Sequence, residues 1–153
     1  MIDESTASPR VATPADLDTV TNLLIGFRDW WNSTTPSDET FRRTAAILLE
    51  DPNTEFLLAG DQGLAQLRYR LSAWTGAEDC WLEDVYVADS ARGTGLGKAL
   101  TQAAIDRARA RGCKRIELDV NEQNTRALGL YTSLGFAVEP KPPGRTLFLG
   151  MKL

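Results

Sequence analysis

Three alternate glycines, Gly93, Gly95 and Gly97, stand between a short apolar run and a long helical pattern. Glycines at this spacing allow a tight turn and let backbone N–H groups come close to a ligand. The helix that follows adds about half a positive charge at its N-terminus. A strand, a turn and a helix in this order indicate an α/β fold, and the turn predicts a site for an anion, most naturally a phosphate.

Two well-known phosphate-binding loops do not match this turn. A P-loop needs a glycine separated by four residues from Gly-Lys-Ser/Thr, but Arg92 holds that place and Ala99 follows Lys98. The dinucleotide-binding fingerprint would put its third glycine at Lys98. A glycine-rich turn also begins many helices that bind nothing, so the turn alone leaves that alternative open.

Hydrophobic periodicity predicts one domain, residues 1–153, of class α/β with a mixed central β-sheet flanked by helices. Thr13 and Ser37 are predicted to cap the first two helices. The segment from Trp81 to Val120 is predicted to be the parallel strand-helix-strand unit. The predicted strands cover 10–12, 55–59, 64–73, 81–87, 115–120, 136–138 and 146–152, and the predicted helices cover 13–31, 37–50, 95–111 and 125–134.

The chain has no histidine and two cysteines. This composition excludes a Ser-His-Asp or Cys-His arrangement and a Cys₄ or His-ligated zinc site, so no metal is expected. Proton transfer must run through Asp, Glu, Tyr, Lys, a terminus or water. Cys80 and Cys113 are predicted to be free and mostly buried thiols, with a disulfide as the alternative.

The net charge of −4 and the pI of about 4.9 argue against a broad nucleic-acid surface. The longest apolar run, Ala45–Leu49, is too short to span a membrane, and the N-terminal sequence has no secretory pattern. We expect a cytoplasmic protein without a nucleic-acid or membrane partner.

Several motifs together resemble the GNAT superfamily of N-acetyltransferases, from about Val11 onward. The turn fits the Q/R-x-x-G-x-G/A signature of that superfamily, and the preceding segment resembles its fourth strand. Two later segments resemble its second motif, and the order of elements also fits. The resemblance implies the GNAT-type acyl-CoA N-acyltransferase fold. These four segments are Arg92–Gly97, Leu82–Val87, Asn124–Ala127 and Leu130–Phe136.

The resemblance implies acetyl-CoA as the cofactor. In the family, backbone N–H groups of the glycine turn hold the pyrophosphate, the fourth strand pairs with the pantetheine arm, and a backbone N–H near Val85 contacts the thioester carbonyl. Arg92 and Lys98 would add peripheral charge. The implied coenzyme-binding residues are Val85, Tyr86, Val87, Arg92, Gly93, Thr94, Gly95, Leu96, Gly97, Lys98, Asn124, Ala127 and Tyr131.

Tyr131 matches the general acid of the family, which would protonate the departing thiolate. It follows Asn124 by seven residues and so shares its helix face. Two structural alternatives stay open: Tyr131 as a core aromatic residue, and Asn124 as a helix N-cap.

Glu83 is predicted to be the base that takes the ammonium proton, directly or through water. The Leu82-Glu83-Asp84 sequence is similar to that of diamine and polyamine acetyltransferases, in which the glutamate faces the amine. Strand alternation places Glu83 on one face with Trp81, Val85 and Val87 and Asp84 on the other, unless a bulge intervenes. Asp84 is predicted to bind substrate or to be structural, and the alternative for Glu83 is an ion pair with Arg68 or Arg70.

The predicted acceptor is a primary amine of a small molecule, with a polyamine-like or other cationic amine favoured. Trp30 is predicted to line the acceptor site, and Trp31 to lie in the core. The alternatives are a protein or peptide N-acetyltransferase and a non-catalytic CoA-binding sensor. Dimers are common in the family, so a homodimer is compatible with the resemblance.

Overall fold

The computed structural model describes residues 8–138, 143–144 and 147–153. The chain forms two compact units, one ending at Asp119 and one beginning at Val120. The strands are β1 (Arg10–Val11), β2 (Thr54–Ala59), β3 (Gly63–Ser72), β4 (Ala77–Val87) and β5 (Ile116–Glu117), and the helices are α1 (Leu17–Trp30), α2 (Asp38–Glu50), α3 (Leu96–Ala110) and α4 (Thr125–Ser133).

The strands form a single mixed sheet in the order β1-β2-β3-β4-β5. Neighbouring strands are antiparallel from β1 to β4, and β4 and β5 are parallel. Because parallel neighbours need a crossover, α3 connects β4 to β5 as predicted. This arrangement confirms the α/β class and the mixed sheet.

Apolar side chains on the two faces of the sheet form two separate clusters. One lies under α3, and the other lies under α1 and α2. This division follows from the alternation of side chains along β2 and β3. The α3 cluster includes Leu57, Ala65, Leu67, Cys80, Leu82, Leu100 and Ala104, and the α1/α2 cluster includes Val20, Leu24, Ala45, Phe56, Leu58 and Leu64.

The predicted helix starts are confirmed by hydrogen bonds. The backbone N–H of Thr13 donates to the Asp16 carboxylate at 2.8 Å in a capping box that opens a short 3₁₀ turn ahead of α1. The backbone N–H of Thr40 donates to the Ser37 hydroxyl at 3.2 Å and caps α2. Ser37 therefore caps α2 as predicted, whereas Thr13 caps the 3₁₀ turn Pro14–Asp16, from which α1 continues at Leu17.

Strand β4 begins earlier than predicted, because its first residues pair with the end of β3. Ala77 lies opposite Ser72, so the predicted turn is shorter and Asp79 belongs to the strand. The Asp79 side chain is buried and accepts a hydrogen bond from Arg115 at 2.8 Å. This ion pair lets a charged residue occupy a strand position that the sequence pattern assigned to a loop.

The predicted strands after Ser133 are wrong for the residues that the structure describes. Residues 136–138 and 147–153 form no strand, and Thr146 lies outside the described residues. A strand needs a neighbouring strand that hydrogen-bonds to its backbone N–H and C=O groups, and a run of apolar side chains in the sequence does not supply that neighbour. Within its described residues, the chain contains no helix that is both long and apolar enough to span a bilayer.

Candidate functional site

A β-bulge interrupts the pairing of β3 with β4. Gln66 lies opposite Asp84, whereas the next residue of β3, Leu67, lies opposite Leu82. Glu83 is therefore the extra residue, and Glu83 and Asp84 together oppose Gln66. Sequence alternation cannot reveal this insertion, because the same residues would also form a regular strand.

The bulge changes which face of the sheet each β4 side chain occupies. Leu82, Val85 and Val87 pack with the α3 cluster, and Tyr86 packs with the α1/α2 cluster. Alternation on either side of the bulge therefore directs both Glu83 and Asp84 toward the α1/α2 face. The prediction that Glu83 shares a face with Val85 and Val87 is wrong, because the extra residue reverses the alternation there.

The two bulge carboxylates differ in their surroundings. Glu83 is exposed, whereas Asp84 is half-buried. Burial raises the pKa of Asp84 from its ordinary value of 3.8 to about 6, and the nearby negative charges of Glu83 and Asp119 add to the effect. Asp84 can therefore accept and release a proton close to neutral pH.

Neither bulge carboxylate forms an ion pair with the described residues. Arg70, one of the two partners considered for Glu83, lies 3.7 Å from Glu117 instead. Arg68 has no ion-pair partner within the described ranges. The bulge therefore presents negative charge that the described part of the protein does not neutralise.

Gln66 is a polar residue that the sequence analysis did not single out. It is only 6% exposed, and its side-chain amide forms no hydrogen bond with residues that the structure describes. A glutamine among the apolar residues of a strand, between Leu64 and Leu67, is the signal that could have identified it.

One backbone edge of β4 is open beyond Trp81. Strand β5 pairs only with Cys80 and Trp81, so within the described residues the stretch Leu82–Val87 has a strand neighbour on one side only. The three residues predicted to contact pantetheine, Val85, Tyr86 and Val87, lie in this stretch. Open N–H and C=O groups of a strand can pair with an extended ligand.

The side chain of Tyr86 packs toward α1 rather than toward the open edge. Its ring stacks on Phe27 at 5.3 Å between centroids. A Cβ on Gly26 would lie 2.9 Å from the Tyr86 hydroxyl, so the ring fits against a glycine in the helix. Tyr86 therefore has only its backbone available at the open edge.

The glycine turn has the backbone geometry of an anion site. Gly93 and Gly95 have φ values of +79° and +87°, which side-chain-bearing residues rarely adopt. The Ala99 N–H donates to the Gly95 carbonyl at 3.0 Å as the first hydrogen bond of α3. The N–H groups of Leu96, Gly97 and Lys98 precede that bond and have no acceptor within the helix. They can bind a phosphate, as the sequence predicts.

Arg92 and Trp30 contact each other, which connects the start of the glycine turn to α1. The Arg92 guanidinium lies 5.2 Å from the Trp30 ring centroid, donates to the Val87 carbonyl at 3.2 Å and forms an ion pair with Asp89 at 3.0 Å. Trp31 is 58% exposed, so its predicted core position is wrong. It follows the last turn of α1 and packs edge-on against Trp30.

The second compact unit holds the remaining predicted site residues. The Ala127 N–H donates to the Asn124 side chain at 3.3 Å, so Asn124 is the N-cap of α4. Tyr131 is half-buried on the same helix, and its ring meets Phe136 edge-on at 5.8 Å. Gly135 follows the end of α4 with φ +102°, the left-handed conformation that commonly ends a helix at a glycine.

Among known proteins, this chain is similar in sequence to several acetyltransferases. Over 89 residues the chain is 40% identical to a mycothiol acetyltransferase of Beutenbergia cavernae, which covers 56% of this chain and 29% of that protein. Over 67 residues it is 36% identical to the thialysine N-epsilon-acetyltransferase of Bos taurus, which covers 44% of this chain and 39% of that protein. The chain thus spans well under half the length of these curated relatives.

A solved structure matches over nearly the whole chain. The crystal structure from Arthrobacter sp. FB24, described as that of an acetyltransferase, is 33% identical and has a TM-score of 0.84 over 95% of both chains. The sequence pattern of the acetyltransferase (GNAT) family matches residues 20–136, which include the bulge, the glycine turn and α4. The chain therefore belongs to the acetyltransferase (GNAT) family of N-acetyltransferases.

Proposed function

We propose that the protein transfers the acetyl group of acetyl-CoA directly to a primary amine of a small molecule. The observation that carries this proposal is the arrangement of β4. Its bulge holds two carboxylates that have no ion-pair partner among the described residues, and nine residues after Val87 the chain enters α3, whose N-terminus is open to an anion. The first feature suits a cationic amine, and the second suits a pyrophosphate.

The residues of the glycine turn fit the phosphate groups of coenzyme A. A Cβ on Gly95 would meet nothing within 4 Å, so the space in front of the turn is open. In this proposal the N–H groups from Gly93 to Lys98 hold the pyrophosphate, and the open backbone of Val85–Val87 pairs with the pantetheine arm. Acetyl-CoA supplies the acetyl group as a thioester when bound.

The proposed reaction needs two proton transfers that side chains of this protein can carry out. An ammonium group must lose a proton before its nitrogen can form the new C–N bond, and the departing thiolate must gain one as the C–S bond breaks. A bulge carboxylate accepts the first proton, with Glu83 as the residue predicted from the sequence and Asp84 as the one whose pKa is closer to neutral. Tyr131 donates the second, as the family resemblance implies.

The single domain, a cytoplasmic location and a homodimer stay predictions. So do the roles of Asn124 and Ala127 in coenzyme binding. A polyamine-like acceptor is part of the proposal because the bulge carries uncompensated negative charge. The relative in Bos taurus is named for thialysine, which makes that amine a useful candidate in the assay below.

An acceptor screen tests the proposed function. Purified protein is mixed with acetyl-CoA and one of spermidine, putrescine, thialysine, kanamycin, free amino acids or a short peptide, and release of free thiol is followed. We expect turnover with at least one cationic small amine. Coenzyme binding without turnover of any amine would support the non-catalytic sensor instead, and turnover of the peptide alone would support a peptide acceptor.

Replacing Gly95 by alanine tests the phosphate site. The variant forces a side-chain-bearing residue to φ +87°, so we expect at least tenfold weaker coenzyme A binding by calorimetry. Gly112→Ala is the matched control, since Gly112 has φ +85°, equally open surroundings and a place beyond the other end of α3. Both variants should lose a similar free energy of unfolding, and equal losses of coenzyme affinity would contradict the assignment.

Replacing Tyr131 by phenylalanine tests the proposed acid. The variant keeps the ring that packs on Phe136 and removes only the hydroxyl. We expect kcat to fall about a hundredfold, with the Kd for coenzyme A within about twofold of the unmodified protein. An unchanged kcat would remove Tyr131 as the acid and favour its alternative role as a packing residue.

Replacing Asp84 by asparagine tests its electrostatic environment. Because its pKa is about 6 in the folded protein and 3.8 ordinarily, its charge opposes folding above pH 6 and has no such effect below pH 4. Asp84→Asn should therefore raise the free energy of unfolding by about 1–3 kcal/mol at pH 7.5 and by much less at pH 4. Urea unfolding at both pH values measures the difference, and equal effects would contradict the raised pKa.

A further inference from the structure

Gln66 is a buried polar residue on the α1/α2 face of β3, between Leu64 and the exposed Arg68. Its neighbours across the sheet are Phe56 on β2 and Asp84 on β4. Phe56 is 1% exposed, and Leu64, two residues along the same face, is fully buried. The amide of Gln66 therefore lies between a sealed apolar core on one side and the bulge carboxylates on the other.

An amide in this position lacks the partners that buried polar groups normally have. Its oxygen and nitrogen make no hydrogen bond with the described residues, although the residue as a whole is 94% removed from solvent. Burial of an amide is unfavourable unless a hydrogen-bond partner is supplied. The two atoms are not among the fully enclosed unpaired side-chain atoms of the described residues, so each keeps some exposed surface that a ligand could reach.

The chemistry of the surroundings selects the kind of ligand. Ionised Asp84 and Glu83 only accept hydrogen bonds, and the Gln66 amide oxygen also accepts. Asp119 adds a third negative charge that acts on Asp84. A group that offers several N–H donors and carries positive charge satisfies all of these acceptors, whereas a phosphate or carboxylate would be repelled.

We propose that Gln66 and Asp84 together seat the acceptor amine, with the Gln66 amide oxygen accepting one hydrogen bond from the nitrogen and the Asp84 carboxylate accepting its excess proton. This inference rests on the proposed acetyltransferase function. In the proton transfer, an N–H bond of the ammonium breaks, an O–H bond forms on Asp84, and the electron pair stays on nitrogen. Gln66 is thus a positioning residue, and Asp84 is the base in place of Glu83.

The same face offers apolar surface for the carbon chain of the amine. Tyr86 lies opposite Leu64, two pairs along from Gln66 and Asp84 and so on the same face, and its ring is held against Phe27. An alkyl chain extending from the seated nitrogen can pack on this wall. The arrangement therefore suits a primary amine on an aliphatic chain.

Steady-state kinetics with the panel amine that turns over fastest test the role of Gln66. Gln66→Met keeps the size and removes the acceptor, so the amine KM should rise at least tenfold while the acetyl-CoA KM stays within twofold. Gln66→Glu restores an oxygen acceptor and should keep the amine KM within about threefold of the unmodified protein. Gln102→Leu, at an exposed position on α3, is the control and should change neither KM.

The amine KM values of the two Gln66 variants can also contradict the proposed role of Gln66. An amine KM within twofold of the unmodified protein in Gln66→Met, or an equal rise in both variants, would overturn the role of Gln66 and leave the proposed function intact. Absence of turnover by the unmodified protein with every panel amine would overturn the proposed function as well.

Asp84→Asn tests the base without disturbing Gln66. At pH 7 we expect kcat/KM to fall at least thirtyfold, because the variant cannot take the ammonium proton. The loss should shrink to about fivefold or less near pH 10, where about 30% of an aliphatic amine with a pKa of about 10.4 is already neutral, against fewer than one molecule in a thousand at pH 7. The charged groups that act on Asp84 are Glu83 and Asp119, so Glu83→Gln is measured in parallel. A loss that is equal at both pH values, or larger in Glu83→Gln, would overturn the assignment of Asp84.

Discussion

The extra residue at the β4 bulge determines which side chains each face of the sheet presents. With regular alternation from Leu82, Asp84 would face the apolar cluster under α3, where a lone carboxylate could not remain ionised. The bulge directs Asp84 to the other face, opposite Gln66, and returns Val85 and Val87 to the α3 cluster. One inserted residue therefore satisfies two requirements: an intact apolar core beneath α3 and a cluster of hydrogen-bond acceptors beneath α1 and α2.

The same strand connects two sites of opposite electrostatic character. Its bulge carries the negative charge of Glu83 and Asp84, and its end leads to the positive N-terminus of α3. In the proposed function, this separation would attract the anionic coenzyme to one site and the cationic amine to the other. Arg92 stabilises the connection between the two sites by contacts with Asp89 and Trp30, which tie the start of the turn to α1.

Much of this arrangement could be predicted from local sequence signals. The caps Thr13 and Ser37, the glycines of the turn and the parallel unit around α3 all depend on short-range chemistry, and the structure confirms them. The bulge, the burial of Gln66 and the burial of Asp79 depend on which residues of other strands lie opposite them. The sequence of one strand alone does not specify which residues of its neighbours lie opposite it. The wrong placements of Glu83 with Val85 and of Trp31 in the core have the same origin, since each followed a regular period past the point where the structure departs from it.

A crystal structure of the protein with coenzyme A and its best acceptor amine would show which side chains hold the amine. We expect an amine nitrogen within about 3.2 Å of both the Gln66 amide oxygen and an Asp84 carboxylate oxygen, at a β4 strand that still carries Glu83 as its extra residue. An amine bound to Glu83 alone, or a β4 ladder that runs through residues 82–85 without the bulge, would contradict it.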